Sequence, residues 1–273
     1  MKKFFKFLGI LLVVLIVAGT VFYFVKNEDL PQGKQGVEAD ALAIKMLNAI
    51  NHKAFETTEI IEWDFRKAHF YKWYKHKSIV EVSWDENKVI LNTKEPKKSE
   101  VFVNDKKVNN PELIQTAESY FNNDSFWLIA PYKIFDAGTQ RSIVNYENKE
   151  ALMITYTSGG STPGDSYLWF LDDNYMPTSF KMWTKVIPIG GVSATWSNFK
   201  NTKSGIKLPK NHQLSLFGLE IPINNAKAYN ENADALANKI LQAINHENLQ
   251  NTKFLEWSFG GTRAFNWDTE TTL

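Results

Sequence analysis

Five histidines, no cysteine and one cluster of cations bound the side-chain chemistry open to this 273-residue chain. Without cysteine there is no disulfide, no thiolate metal site and no thiol nucleophile. His69 and His76 stand seven residues apart, a poor spacing for a shared metal ion, so no metal site is expected. His52 and His246 occupy equivalent places after a helical pattern, where an imidazole can serve the last carbonyls. The stretch 158–165, Ser-Gly-Gly-Ser-Thr-Pro-Gly-Asp, is glycine-rich but has no Gly-Lys-Ser/Thr, and it reads as a turn between strands. Ser161 has neither a nucleophile-elbow context nor a histidine close by in sequence. Asp172-Asp173-Asn174 reads as a hairpin tip rather than a calcium loop. No catalytic residue and no cofactor follow from these residues, and a non-enzyme is expected.

The cations are Arg66, Lys67, Lys72, Lys75 and Lys77. Lys72, Lys75 and Lys77 are candidate contacts for anionic lipid headgroups, the alternative being a solvated hairpin. A formal charge of +1 argues against a nucleic-acid binder that relies on a basic field.

These residues sit in a stretch that the chain states twice. Residues 39–73 and 233–267 align without a gap, with 16 of 35 positions identical. Such self-similarity marks a duplicated unit. In the first copy Leu42, Met46, Ala49 and Ile50 recur at helical spacing, which predicts an amphipathic helix over 39–51. Asn232 is the expected cap of the second copy's helix. The segments 58–65 and 69–74 are rich in β-formers, and Gly260-Gly261 stands where Arg66-Lys67 does, so a hairpin should follow each helix. Trp63 and Trp257 share the offset, as do Trp73 and Trp267, and read as core anchors.

Upstream, 7–25 carries no charge, and Lys2, Lys3 and Lys6 precede it. Nineteen such residues can span a bilayer as a helix, with the N-terminus in the cytoplasm and the remainder outside it. A signal peptide cleaved near Val17-Ala18-Gly19 is the alternative. The expected divisions are 1–26 as cytoplasmic tip and anchor, 27–36 as tether, 37–229 as a β domain, and 230–273 as an incomplete second copy.

Downstream of the first hairpin, turn signals separate short β-rich runs. These include 126–129, 132–135, 151–157, 166–171, 178–185, 194–199 and 214–219. Asn110 and Pro111 open the one interior helix, expected over 111–121. Ten to twelve strands imply a large, bent antiparallel sheet. Leu152, Ile154, Met153 and Leu168 make central strands apolar on both faces, so the two helices should cover one of them. The expected fold class is therefore α+β and β-dominated: a curved half-barrel sheet covered by an N-terminal and a mid-chain helix, after one transmembrane helix.

This order of elements over 37–227 resembles the periplasmic lipoprotein-carrier superfamily, the LolA-like fold. The segments Ser125-Phe-Trp-Leu-Ile-Ala-Pro131 and 156–169 also resemble membrane-anchored bacterial proteins of unknown function. The tandem second copy departs from the usual single-domain pattern. The resemblance implies an apolar space between sheet and helices, as in carriers of acyl chains. Trp127, Tyr156, Tyr167 and Trp169 are its expected lining. The expectation is a membrane-anchored, extracytoplasmic binder of a lipid or other hydrophobic ligand, with the bilayer as partner. A tethered protein-interaction module with a filled core is the alternative.

Overall fold

The computed structural model describes residues 2–158, 162–231 and 233–268, in two compact units, 1–230 and 231–273. Asn232, Gly159, Gly160 and Ser161 lie outside the described residues.

The first unit opens with helix α1 (Lys2–Lys26), strand β1 (Lys34–Gln35) and helices α2 (Val37–Ala49) and α3 (His52–Thr57). Strands β2 (Ile60–Phe65), β3 (His69–Tyr74), β4 (Ile79–Trp84), β5 (Asn87–Asn92), β6 (Glu100–Val103) and β7 (Lys106–Val108) lead to helix α4 (Pro111–Ile129). After it come β8 (Thr139–Tyr146), β9 (Lys149–Tyr156), β10 (Ser166–Leu171), β11 (Pro177–Trp183) and β12 (Val192–Thr195). The short β13 (Lys200–Asn201), β14 (Lys207–Leu208) and β15 (Asn211–Gln213) precede the ten-residue β16 (Glu220–Tyr229).

All pairings are antiparallel, and they form an α+β, β-rich architecture with no closed barrel. The expected bent sheet is present as two: a six-stranded sheet β1-β8-β9-β10-β11-β12 and an eight-stranded sheet β15-β16-β2-β3-β4-β5-β6-β7. Isolated bridges Ala194–Leu214 and Ser197–Asn211 join them at β12 and β15. The expected strand over 214–219 is instead a turn and the approach to β16. Pro222, Asn224 and Asn225 hide β16 in sequence, because such residues disfavour a strand. Its register breaks at Asn224–Lys227 to accommodate them, with Asn225 at φ 52°.

The helices lie on the inner faces. Leu42, Met46 and Ile50 of α2 join a core with Leu152, Ile154, Tyr167, Trp169, Phe180 and Met182 of the six-stranded sheet, while α4 packs on β4–β6. The opposite face carries a small second core of Val144, Ala151, Met153 and Leu168. No helix covers it. The segment between α1 and α2 does: the Trp183 indole N–H donates to the Glu28 carbonyl at 2.8 Å, and Lys181 meets the Glu28 carboxylate at 2.5 Å. The stretch read as a tether therefore lies strapped along the sheet.

The second unit repeats the start of the first. Helices α5 (Ala233–Ala243) and α6 (His246–Gln250) precede the hairpin β17 (Phe254–Phe259) and β18 (Arg263–Asp268). In both copies an asparagine in the left-handed region separates the two helices, Asn51 at φ 63° and Asn245 at φ 55°. His52 and His246 thus open a second short helix rather than close the first. Arg66-Lys67 and Gly260-Gly261 all have positive φ and make the same tight hairpin turn.

Candidate functional site

Helix α4 positions the centre of the site. The Asn110 side chain accepts from the amides of Glu112 and Leu113 at 3.1 and 3.3 Å, and Pro111 fits the first turn. The helix then runs eight residues beyond its expected end at Phe121, to Ile129. Residues 126–129, expected as a strand, are its last turn, and the expected strand 132–135 begins as the 3-10 turn Ala130–Lys133. A short apolar run is compatible with either state. Here the run continues the helical stripe of Ala117, Phe121, Asp124, Ser125 and Leu128, all of them buried.

Between α4, the β2–β3 hairpin and the six-stranded sheet lies a cavity of about 1000 Å³. Phe121, Phe126, Trp127 and Ile129 line it from α4, Tyr156, Tyr167 and Met182 from the sheet. The Phe126 ring sits 4.5 Å from Tyr167, and Tyr156 meets Tyr167 edge-on at 5.7 Å. Burial pushes both phenols well above the ordinary tyrosine value, helped by Asp136 for Tyr156 and by Asp165 for Tyr167. They stay protonated and offer hydroxyl donors on an otherwise aromatic wall.

Polar groups gather at the ends. At the hairpin end, the Asp124 carboxylate is almost wholly buried, and its Oδ2 meets His69 Nδ1 at 2.7 Å and the Tyr71 hydroxyl at 2.6 Å. The His69 ring stacks on Tyr120 at 3.9 Å, which fixes its plane. Arg66, in the hairpin turn, lines the same end. At the sheet end Lys133 pairs with Asp136 at 2.5 Å, and Asp165 accepts from Thr162 Oγ1 at 2.5 Å and from the Lys185 amide at 3.0 Å. Ser158, Thr162 and Asp165, at the two ends of the stretch expected as a turn, thus border the cavity. Asp172 is occupied by its own turn, accepting from the amides of Asn174 and Met176 at 2.9 Å each.

Three of the expected lining residues, Trp127, Tyr156 and Tyr167, come together on the cavity. Trp169 does not. It is 1% exposed and packs against Phe180 and Trp196 at 4.8 and 5.0 Å. Its side chain shares the inner face with Tyr167 but lies two residues along the strand, toward the junction with β15. The lysines lie elsewhere. Lys72 pairs with Glu62 at 3.5 Å, Lys77 sits over the Tyr74 ring at 5.3 Å, and Lys75 donates to the Phe55 carbonyl above the Phe55 ring. Burial lowers the Lys75 ammonium to about 8.

Nothing local in the sequence places His69, Asp124 and Arg66 at one site. The one available signal was Asp124 itself, a carboxylate on the apolar stripe three residues after Phe121. No group of three or more metal-ligating side chains occurs among the described residues.

Neither a model of a known protein family nor a curated protein sequence matches this chain. Solved structures that align with most of its length include the following two. One is a DUF1329 family protein from Desulfovibrio piger, with 8% identity over 72% of this chain and 95% of that one, at a TM-score of 0.37. The other, an outer membrane lipoprotein-sorting protein domain from Vibrio parahaemolyticus, has 10% identity over 73% of this chain and 99% of that one, at a TM-score of 0.34.

Proposed function

We propose that this protein binds a lipid or similar hydrophobic small molecule in the cavity beside α4. It does so from the outer face of the cytoplasmic membrane, to which α1 anchors it uncleaved. The observation that carries the reading is the cavity: about 1000 Å³, walled by aromatic and aliphatic side chains with polar groups at its ends. That volume is at the upper end for small-molecule sites, roughly 300–1000 Å³. Each methylene moved from water into such a space contributes about 0.8 kcal/mol, so one acyl chain supplies enough to hold an amphiphile. The anchor rests on α1, whose segment Phe4–Lys26 is long and apolar enough to cross a membrane and has none of its apolar window buried. The protein is read as a binder that carries out no covalent step.

Mass spectrometry of solvent extracts from the detergent-purified full chain tests this. The expected result is one lipid class enriched over the membrane from which the protein was taken. A cavity-filling Ile187→Trp variant should lose that enrichment and its micromolar affinity for an environment-sensitive fatty-acid probe. Extracts that match the bulk membrane, with a probe affinity unchanged by Ile187→Trp, would overturn the proposal.

A further inference from the structure

The strap between α1 and the six-stranded sheet leaves no free spacer between the apolar helix and the β domain. The Asn27 amide still donates to the Tyr23 carbonyl at 2.8 Å, continuing the helix. The next contacts belong to the domain: Gly190 N–H donates to Asn27 Oδ1 at 2.8 Å, and the Glu28 amide donates to the Gly190 carbonyl at 3.0 Å. Glu28 also takes the Tyr146 hydroxyl at 2.8 Å and Lys181 at 2.5 Å. A Cβ at Gly190 would stand 2.4 Å from the Glu28 carbonyl, so the close approach requires glycine there.

Two apolar loops of the domain lie beside this exit. The loop before β16 reads Leu214-Ser-Leu-Phe-Gly-Leu219, and its tip projects Phe217, 82% exposed, with Leu219 also exposed. Phe217 and Gly218 both have positive φ, a tight turn that holds the ring outward. That ring stacks on Phe22 of α1 at 5.8 Å and an interplanar angle of 6°. Phe22 lies four residues inside the end of the apolar segment at Lys26, which is roughly 6 Å of helix rise. The second loop joins β11 to β12. It presents Val186, 76% exposed, and ends at the Gly190 that grips Asn27. Val186 and Ile187 also line the cavity.

From this continuity with the apolar helix we infer that the tips at Phe217 and Val186 insert into the outer leaflet of the bilayer, and that the cavity is loaded laterally through the Val186–Ile187 loop. The occupant of this surface is bilayer lipid. Side chains at this depth sit at the boundary of headgroups and acyl chains, where apolar residues are buried roughly 5–10 Å. A large exposed aromatic in a tight turn has an unfavourable hydration that this placement relieves. The inference rests on α1 being an uncleaved membrane helix.

Because the chain has no cysteine, single-cysteine variants of the full chain report each position separately. Leu15→Cys, Val186→Cys, Phe217→Cys and Val108→Cys, labelled with an environment-sensitive fluorophore, are reconstituted in phosphatidylcholine nanodiscs with or without doxyl-labelled lipid. Leu15 marks the apolar helix, and Val108 marks the far edge of the eight-stranded sheet. At least twofold quenching is expected at 217 and 186, strongest with a doxyl group near the headgroup. Leu15 should be quenched best by a deep doxyl group, and Val108 not at all. Quenching at Leu15 with values at 217 and 186 equal to those at Val108 would overturn the inference and leave the anchor intact. No quenching at Leu15 would overturn the anchor and the inference with it.

Discussion

His212 is wholly buried, and both its ring nitrogens face main-chain carbonyls, Thr195 O at 2.8 Å and Trp127 O at 2.6 Å. The ring ties α4 to the junction of the two sheets. A neutral imidazole has one N–H and serves one carbonyl at a time; only the charged ring donates to both. Burial nevertheless dominates and holds the imidazole below the ordinary histidine value, with the two carbonyls opposing it. The unfolded chain takes up this proton near pH 6.5, the folded chain only at lower pH. More protons are bound unfolded in that window, so the contribution is complete above about pH 6.5 and is lost as pH falls below it. Thermal melts of the wild type should therefore lose midpoint more steeply than those of His212→Gln as pH falls below about 6.5. That variant should cost about 2 kcal/mol at pH 7.5. Parallel pH profiles for the two proteins would contradict this. Asp124 is the second residue of consequence. Asp124→Ala leaves the Tyr71 hydroxyl and His69 without their shared acceptor, an expected loss of about 2–4 kcal/mol in urea unfolding. Tyr71→Phe alone should cost about 1 kcal/mol, and the two losses should not add, because they report one network.

Helix α2 ends where Asn51 enters the left-handed region, and its Nδ2 donates to the Gly205 carbonyl at 3.0 Å. Asn51→Gly and Asn51→Ala both remove that bond, but alanine keeps a Cβ in left-handed backbone, at a cost of roughly 1 kcal/mol relative to glycine and without the side-chain hydrogen bond that offsets it in asparagine. Alanine should thus be the less stable of the two variants, the reverse of their order within a helix; chemical denaturation of both checks it. Helix α4 shows the opposite dependence. Its start is set locally by Asn110 and Pro111, and Asn110→Ala should cost about 1 kcal/mol. Its last turns are held by the core instead, since Phe126 and Trp127 pack on Tyr167 and Phe180.

The two copies of the repeat differ in what covers them. In the first unit Trp63 stacks on Tyr71 at 4.5 Å and both are buried; in the second, Trp257 stacks on Phe265 at 5.2 Å and both are exposed. The first hairpin continues into six further strands of its sheet, while the second stands as two strands. A lone hairpin is marginal in water. A chain ending at Asn230 should accordingly keep its unfolding midpoint and its affinity for a fatty-acid probe. Limited proteolysis of the full chain should cut first within 231–268. A midpoint lowered by many degrees on truncation would show that the first unit is incomplete without the second.

The sequence alone determined what acts over a few residues: the apolar helix, the repeat, the hairpin turn at Arg66-Lys67, the cap at Asn110 and the β-rich class. Each depends on periodicity, side-chain capping or backbone preference within a short window. The resemblance of the element order also implied a lining of Trp127, Tyr156, Tyr167 and Trp169, of which the first three border the cavity. Only the tertiary structure decided that Asp124 meets His69 across 55 residues, and that Glu28 meets Lys181 across 153. It likewise separated Tyr167, on the cavity, from Trp169 in the core of the same strand. A cavity is the space left after distant segments have packed, and no local pattern encodes which side chains border it.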